Sequence, residues 1–213
     1  MSARRRLVVD TETTSLTPDY RTGAGVIWEL ALIDRESGQE WLWRMKPDAS
    51  KADPGALQVG RYYERTEDTL QHSDSQMIWN VAAHPAPVSP YWSNPDLVAA
   101  FVVRLLDGAT LIAANPTFDA NYLSAFLGTH GQSRQPWHYR LRDIGSMACG
   151  YLSACQALGI EGRDAALGVP PMDASTDEFA LALGLDLSKY ERHSALGDCR
   201  LVSDMLSVIE GAR

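Results

Sequence analysis

The chain contains 213 residues, 45% of them hydrophobic and 22% charged, which is the composition of a soluble globular protein with one sizeable core. Its 19 basic residues against 27 acidic ones give a net charge of −8, which argues against binding a polyanion through a broad basic surface. No apolar run approaches the roughly 20 residues of a membrane span, and the stretch after the N-terminal arginines ends at Asp10, too early for a signal peptide. We therefore expect a single domain over residues 1–213, cytoplasmic and without a membrane partner.

The cysteines also favour the expectation of a cytoplasmic protein. The three cysteines, Cys149, Cys155 and Cys199, are odd in number and lack the paired spacing of a zinc site. We expect reduced, mostly buried thiols, and neither a disulfide framework nor a zinc knuckle.

The N-terminal part of the sequence predicts three short strands separated by turns. They are Leu7–Thr11, Val26–Asp34 and Glu40–Met45. A polar stretch with turn-forming residues separates the first two, and the sequence Glu36–Gln39 favours a tight hairpin between the second and the third. The second and third strands are therefore expected to pair antiparallel.

The segment from Pro47 to Pro95 lacks clear periodicity and holds six of the eleven prolines. We expect an irregular insertion at about 47–95 with one short helix after Asp53-Pro54. Its aromatic residues either form a lid or pack in the interior. These residues are Trp79, Tyr91 and Trp92.

Helices and strands alternate after this insertion. Asn94-Pro95-Asp96 combines an N-cap, a proline at the first helical position and an acid in the first turn. This pattern predicts a helix that ends at Asp107-Gly108, and helical spacing points its apolar side chains inward. Those side chains are Leu97, Val98, Phe101 and Leu105.

Six further elements are predicted from the remaining sequence. They are a buried strand at Thr110–Ala114, a helix at Asp119–Leu127, a strand at Tyr139–Arg142, and helices at Ile144–Leu158, from the capping box Ser175–Glu178 through Leu183, and at Ala195–Ile209. Antiparallel pairing followed by alternation predicts an α/β fold with a mixed sheet flanked by helices.

Two acids follow each other at strand spacing near the end of the first strand. Asp10 and Glu12 lie two residues apart, so the period of a strand puts both carboxylates on one face. At about 4 Å two such charges would repel by roughly 4 kcal/mol at an effective dielectric of 20, and a shared cation would remove that repulsion. Such pairs also arise by chance in an ordinary charged chain, so this pair indicates a cation site only if further acids lie near it.

Two later positions supply those acids. Asp119 follows a predicted strand where a helix begins, at the sheet end where ligands collect in α/β folds, although a helix N-cap is a simpler role for it. His193 and Asp198 enclose four residues at the start of the last helix, where a lone histidine is more often a surface or capping residue. Together these positions give four carboxylates and one histidine in a fixed order.

This order resembles the DEDDh exonucleases, the DnaQ-like branch of the ribonuclease-H-like superfamily, which includes proofreading subunits of bacterial polymerases. The matching motifs are Val9-Asp10-Thr11-Glu12-Thr13-Thr14, Asn115-x-x-Phe118-Asp119 and His193-x4-Asp198, with Glu29-Leu30-Ala31 and Asp143 as further similarities. Ser15, Ala114 and Pro116 depart from the family pattern without removing an acid. The resemblance implies a ribonuclease-H-like mixed five-stranded sheet flanked by helices.

The resemblance also implies a two-metal mechanism. Asp10 would bridge two divalent cations, Mg²⁺ or Mn²⁺, while Glu12 and Asp198 complete the site of the attacking water and Asp119 supports the second ion. His193 would accept the proton of the water near neutral pH. The expected contacts to the terminal nucleotide are Thr11, Thr13, Thr14, Asn115 and Phe118.

The predicted activity is hydrolysis of a nucleic acid from its 3′ end to nucleoside 5′-monophosphates, with single-stranded DNA preferred and a polymerase or replication protein as a candidate partner. Two alternatives stay open. One is an RNA-trimming exonuclease of the oligoribonuclease or ribonuclease T kind, and the other is a catalytically silent nucleic-acid-binding or polymerase-docking module. Two divalent ions would supply locally the positive charge that the acidic composition lacks.

One stretch of the sequence is basic and aromatic. The range Ala120–Arg142 contains no acid. Its side chains either steer and stack a single strand or are ordinary packed and solvated residues. They include Arg134, Trp137, Tyr139, Arg140 and Arg142.

Overall fold

The computed structural model describes residues 4–66, 92–160 and 168–211, which form an α/β fold with a five-stranded mixed sheet flanked by helices. The strands are β1 Arg6–Thr13, β2 Ile27–Asp34, β3 Glu40–Arg44, β4 Thr110–Ala113 and β5 Arg142–Asp143. The helices are α1 Pro54–Val59, α2 Tyr62–Thr66, α3 Pro95–Leu106, α4 Pro116–Thr129, α5 Ile144–Ala157, α6 Thr176–Ala182 and α7 Ala195–Ile209. This architecture confirms the predicted α/β class and the predicted mixed sheet.

Strand β1 lies at the centre of the sheet, whose order is β3-β2-β1-β4-β5. It pairs antiparallel with β2, with Asp10 opposite Ala31, and parallel with β4, with Val8 beside Ile112. The predicted hairpin between β2 and β3 is confirmed, and its turn contains Gly38 at a φ of +71°, a conformation that glycine adopts without steric cost.

The two faces of the sheet carry separate cores, and alternate residues of β1 belong to different ones. Leu7 and Val9 pack in the core that includes α3 and α4, whereas Val8 packs in the core that includes α5, α6 and α7. Because side chains alternate along a strand, Asp10 and Glu12 continue on the side of Val8, toward α7. Thr11 continues on the opposite side, toward α4.

The buried face of α3 differs from the prediction. Val98, Val102 and Leu106 are buried, whereas Leu97 is 39% exposed. Phe101 and Leu105 only flank the core. Val98 is buried as predicted, but the rest of the predicted face is not. The apolar residues one position later fit the same helical periodicity, and packing in the core on that face of the sheet selects them.

Most element bounds differ from the prediction by one or two residues, and two elements differ in a more informative way. Helix α4 begins at Pro116, three residues before the predicted start, because a proline is well suited to the first turn of a helix. The predicted strand at Tyr139–Arg142 is wrong in extent, since β5 contains only Arg142 and Asp143. The helix with the Ser175 capping box and the last helix lie where they were predicted.

The described part of the predicted insertion packs against the sheet. The short helix after Asp53 is confirmed as α1, and α2 follows it. Trp92 is buried with Trp28 and Tyr62, so packing is the correct interpretation for this aromatic residue. Trp79 and Tyr91 lie outside the described residues.

Two predictions from composition can be compared with the described residues. All three cysteines are free, but only Cys199 is fully buried, while Cys149 and Cys155 are half-buried. Within ranges 4–66, 92–160 and 168–211 no helix is both long and apolar enough to cross a membrane.

Candidate metal centre

Three carboxylates meet at the end of β1. Asp10, Glu12 and Asp198 each offer an oxygen, and these oxygens all lie within 4.8 Å of one another. The strand period turns the first two toward α7, and Asp198 lies in the first turn of that helix. Three of the four predicted acids therefore lie together although they are far apart in the sequence, and Asp119 is not a member of this group.

A tight turn sets the position of α7 and of Asp198. Ser194 is the N-cap, and its hydroxyl accepts a hydrogen bond from the backbone N–H of Gly197 at 3.1 Å. A Cβ atom at Gly197 would lie 2.0 Å from the carbonyl oxygen of Glu191. Only glycine allows the chain before α7 to pass so close to its first turn, and this fixes the direction in which Asp198 points.

One arginine faces the carboxylates from this turn. Arg192 forms an ion pair with Asp198, and its Nε donates a hydrogen bond to Oδ1 of Asp177 at 2.9 Å. The motif comparison identified the neighbouring His193 but gave no sign of this arginine. Its single positive charge is smaller than the combined charge of three ionised carboxylates.

Burial and mutual repulsion make these acids difficult to ionise. Burial raises the pKa of Asp10 well above its usual range, and repulsion from Asp119 and Glu12 raises it further. Burial, together with repulsion from Glu29, raises the pKa of Glu12 to about 7. Ionisation of these acids in the folded protein is therefore unfavourable without a counter-ion, and a bound cation would remove that cost.

The donor set fits a hard divalent cation. Carboxylate oxygens are the ligands that Mg²⁺ and Mn²⁺ prefer in proteins, and Asp10, Glu12 and Asp198 all present them. Their partial burial limits competition from water, and the charges of Arg65 and Arg192 only partly offset the repulsion and burial of Glu12. These three residues would hold such an ion.

Asp119 lies beside this cluster on the other face of β1. It is 3% exposed and sits in the first turn of α4, and its Oδ1 accepts a hydrogen bond from the Thr11 hydroxyl at 2.8 Å. Burial raises the pKa of Asp119 to about 7 although this hydrogen bond lowers it. The N-cap role considered for Asp119 is wrong, because Asn115 occupies that position.

His193 lies directly before the N-cap of α7. Its side chain is exposed, and its φ of +59° is in the left-handed region, where few residues other than glycine are found. Its carbonyl oxygen accepts a hydrogen bond from Arg65 at 3.1 Å. The capping role considered for His193 belongs to Ser194 instead.

A buried ion-pair network lies beside Glu12 on the neighbouring strand. Glu29 is opposite Glu12 in the sheet and fully buried. It forms ion pairs with Arg44, at 3.4 Å, and with Arg65. Arg65 comes from α2 and also holds the carbonyl of His193, so this network links the insertion to the turn before α7. Sequence spacing contains no signal that could have identified Arg65.

A pocket of about 450 Å³ opens beside the carboxylates. Four of its lining residues are Thr11, Glu12, Thr13 and Phe118, and α1 forms another part of its wall. A cavity of this size accommodates a small organic ligand. Three of the five predicted nucleotide contacts therefore line one pocket together with a predicted metal ligand.

The other two predicted contacts lie outside that lining. Thr14 is fully buried, and its hydroxyl donates a hydrogen bond to the carbonyl of Ala24 at 2.9 Å. Asn115 is exposed at the start of α4. The sequence motif did not identify Leu16 and Val59, which line the pocket and are 79% and 61% exposed.

Comparison of the sequence with known proteins matches neither a protein-family profile nor a curated protein.

Proposed function

We propose that this protein is a metal-dependent 3′-to-5′ exonuclease of the DEDDh type with a ribonuclease-H-like fold. The observation that carries the proposal is the convergence of Asp10, Glu12 and Asp198, of which Glu12 also lines a pocket of about 450 Å³. The carboxylates would hold Mg²⁺ or Mn²⁺, and the pocket would take the terminal nucleotide. Both sites share Glu12, so a phosphate attached to a nucleoside in the pocket would lie against the cations.

The pocket favours one flat, partly apolar group. Phe118 and the exposed apolar side chains of Leu16 and Val59 form its walls, and such surfaces pack well against a nucleobase. Thr11 and Thr13 add hydroxyl groups at the β1 side. A single terminal nucleoside suits this lining and volume better than a paired duplex end does.

The residues around the pocket would have different roles in phosphodiester hydrolysis. Bound divalent ions would activate a water molecule and neutralise charge at the scissile phosphate. Asp10, Glu12 and Asp198 would hold the ions, and Asp119 would add negative charge from the α4 side. His193 would accept a proton from the attacking water, since it immediately precedes the turn that carries Asp198.

Digestion of end-labelled oligonucleotides tests this proposal. With Mn²⁺ present, we expect a 3′ label to leave as a mononucleotide before any shortening at the 5′ end, and EDTA to stop the reaction. Asp10→Asn and Asp198→Asn should each abolish release, while Asp173→Asn, which changes an exposed loop acid, should leave it intact.

Matched DNA and RNA strands in the same assay define the substrate. Faster release from DNA supports the preferred substrate, and faster release from RNA assigns the protein to RNA trimming. The proposal of an exonuclease is overturned if the wild-type protein releases no nucleotide from either strand, or if both Asp→Asn variants remain active.

A further inference from the structure

The basic and aromatic stretch before β5 separates into a buried part and an exposed part. Trp137 is 8% exposed and packs in the core, so it cannot stack on a ligand. Tyr139 is 76% exposed, and Arg140 and Arg142 are exposed beside it in the sequence. The N-terminal Arg4 is also exposed.

We call the side chains of Arg4, Tyr139, Arg140 and Arg142 the β5 patch. Among the residues that the structure describes, no acid forms an ion pair with any of its three arginines. In contrast, Arg5 and Arg6 each form an ion pair with an acid. Positive charge therefore remains unbalanced on one edge of a protein whose net charge is −8.

The three arginines lie close enough to act together on one imidazole. The pKa of His138 lies below its ordinary value, first because of partial desolvation and then because of repulsion from all three. Backbone contacts show why they are neighbours: His138 N–H donates to the carbonyl of Ala109 at 2.8 Å, and Thr110 N–H donates to the carbonyl of Arg5 at 2.8 Å. The chain before β1 and the chain before β5 therefore both flank the beginning of β4.

Tyr139 adds an aromatic surface to this charge. The Arg140 guanidinium lies 5.5 Å from the centroid of the Tyr139 ring, and its Nε donates to the tyrosine hydroxyl at 3.1 Å. The His138 ring lies 4.5 Å from the same centroid. Exposed arginines can bind phosphates, and an exposed aromatic ring can stack on a base. The combination therefore favours a nucleic-acid strand as the ligand.

The register of the sheet gives the distance from this patch to the carboxylates. Arg142 pairs with Ile112, and Ile112 pairs with Val8, two residues before Asp10. Two strand spacings across the sheet and two residues along it correspond to about 12 Å. A single strand of a few nucleotides spans that distance.

We propose that the β5 patch binds the single strand several nucleotides behind the 3′ end that occupies the pocket. This inference rests on the proposed function, because it assigns a path to the substrate of the same site. The patch would hold the strand while its terminal nucleotide is removed. Long strands would then be processed more efficiently than very short ones.

Binding of a fluorescent oligothymidylate of about 20 nucleotides, measured by anisotropy in EDTA, tests the patch separately from hydrolysis. We expect Arg140→Glu and Arg142→Glu each to weaken binding and to reduce the slope of log K against log salt by about 0.7, the value for one phosphate contact on a single strand. Arg104→Glu is the matched control, because Arg104 is exposed on α3 and outside the patch. It should bind like the wild-type protein.

A second measurement compares kcat/KM on the same long strand and on a trinucleotide. In the two patch variants the ratio of the long-strand value to the trinucleotide value should fall about tenfold, which is about 1.4 kcal/mol of lost binding. The inference is overturned if wild type does not bind the long strand, or if the patch variants and Arg104→Glu bind it equally. Loss of binding in the patch variants without hydrolysis by wild type would support the patch and refute the exonuclease.

Discussion

Replacing Glu12 with glutamine is expected to stabilise the metal-free protein at alkaline pH, although it removes a predicted metal ligand. Burial and the nearby Glu29 raise the pKa of Glu12 from 4.5 to about 7 in the folded state. The fold thus favours the neutral form of this side chain. The contribution of Glu12 to stability is therefore most favourable below pH 4.5 and is lost as the pH rises from there to about 7. Glutamine stays neutral throughout and avoids that loss.

The size of the effect follows from the two pKa values. The difference between 4.5 and about 7 corresponds to about 3 kcal/mol at about 1.4 kcal/mol per pKa unit. Glu12→Gln and wild type should therefore be almost equally stable near pH 4.5. Near pH 8 the variant should be more stable by about 3 kcal/mol.

Urea denaturation in EDTA, followed by circular dichroism at these two pH values, measures the difference. Glu64→Gln is the matched control: Glu64 is 66% exposed and pairs with Arg61, so its removal should change stability by less than about 1 kcal/mol at either pH. The electrostatic description of the cluster is wrong if the difference in unfolding free energy between Glu12→Gln and wild type is no larger at alkaline pH than at acid pH.

Three further predictions concern the same cluster. Millimolar Mn²⁺ should raise the melting temperature of the wild-type protein, because a ligand that binds only the folded state stabilises it; an unchanged melting curve would contradict a cation site. Arg192→Ala should bind Mn²⁺ more tightly in calorimetry than wild type, since the arginine that competes with the ion for Asp198 is removed, and weaker binding would refute this role. Gly60→Ala should weaken Mn²⁺ binding, because the new Cβ would lie 2.8 Å from Glu12 Oε2 and displace that carboxylate, and an unchanged affinity would show that the carboxylate adapts.

The sequence best predicted the positions of side chains that depend on a single strand or a single helix. The two-residue period of β1 predicted that Asp10 and Glu12 share a face, and the start of α7 predicted where Asp198 lies. The strand order could only be expected by resemblance, because strand pairing depends on contacts between distant segments. The pattern of α3 was ambiguous for a related reason: two apolar series fit a helix, and only the packed sheet selects Val98 over Leu97.

The residues that the sequence did not reveal act through long-range contacts. Arg65 reaches Glu29 and the carbonyl of His193 from a short helix inside the insertion, and no local spacing connects these positions. Arg192 is adjacent to a motif residue, but its partners Asp177 and Asp198 come from α6 and α7. Ion pairs of this kind depend on tertiary structure, so sequence reasoning identified the acids without identifying their counter-ions.

Mn²⁺ titration followed by electron paramagnetic resonance tests the central claim most directly, because it detects the ion without requiring hydrolysis. We predict that wild type and the exposed-loop variant Asp173→Asn bind Mn²⁺ equally, and that Asp10→Asn and Asp198→Asn bind it much more weakly. Equal Mn²⁺ binding by all four proteins, or none by wild type, would contradict the claim that these carboxylates form a metal centre.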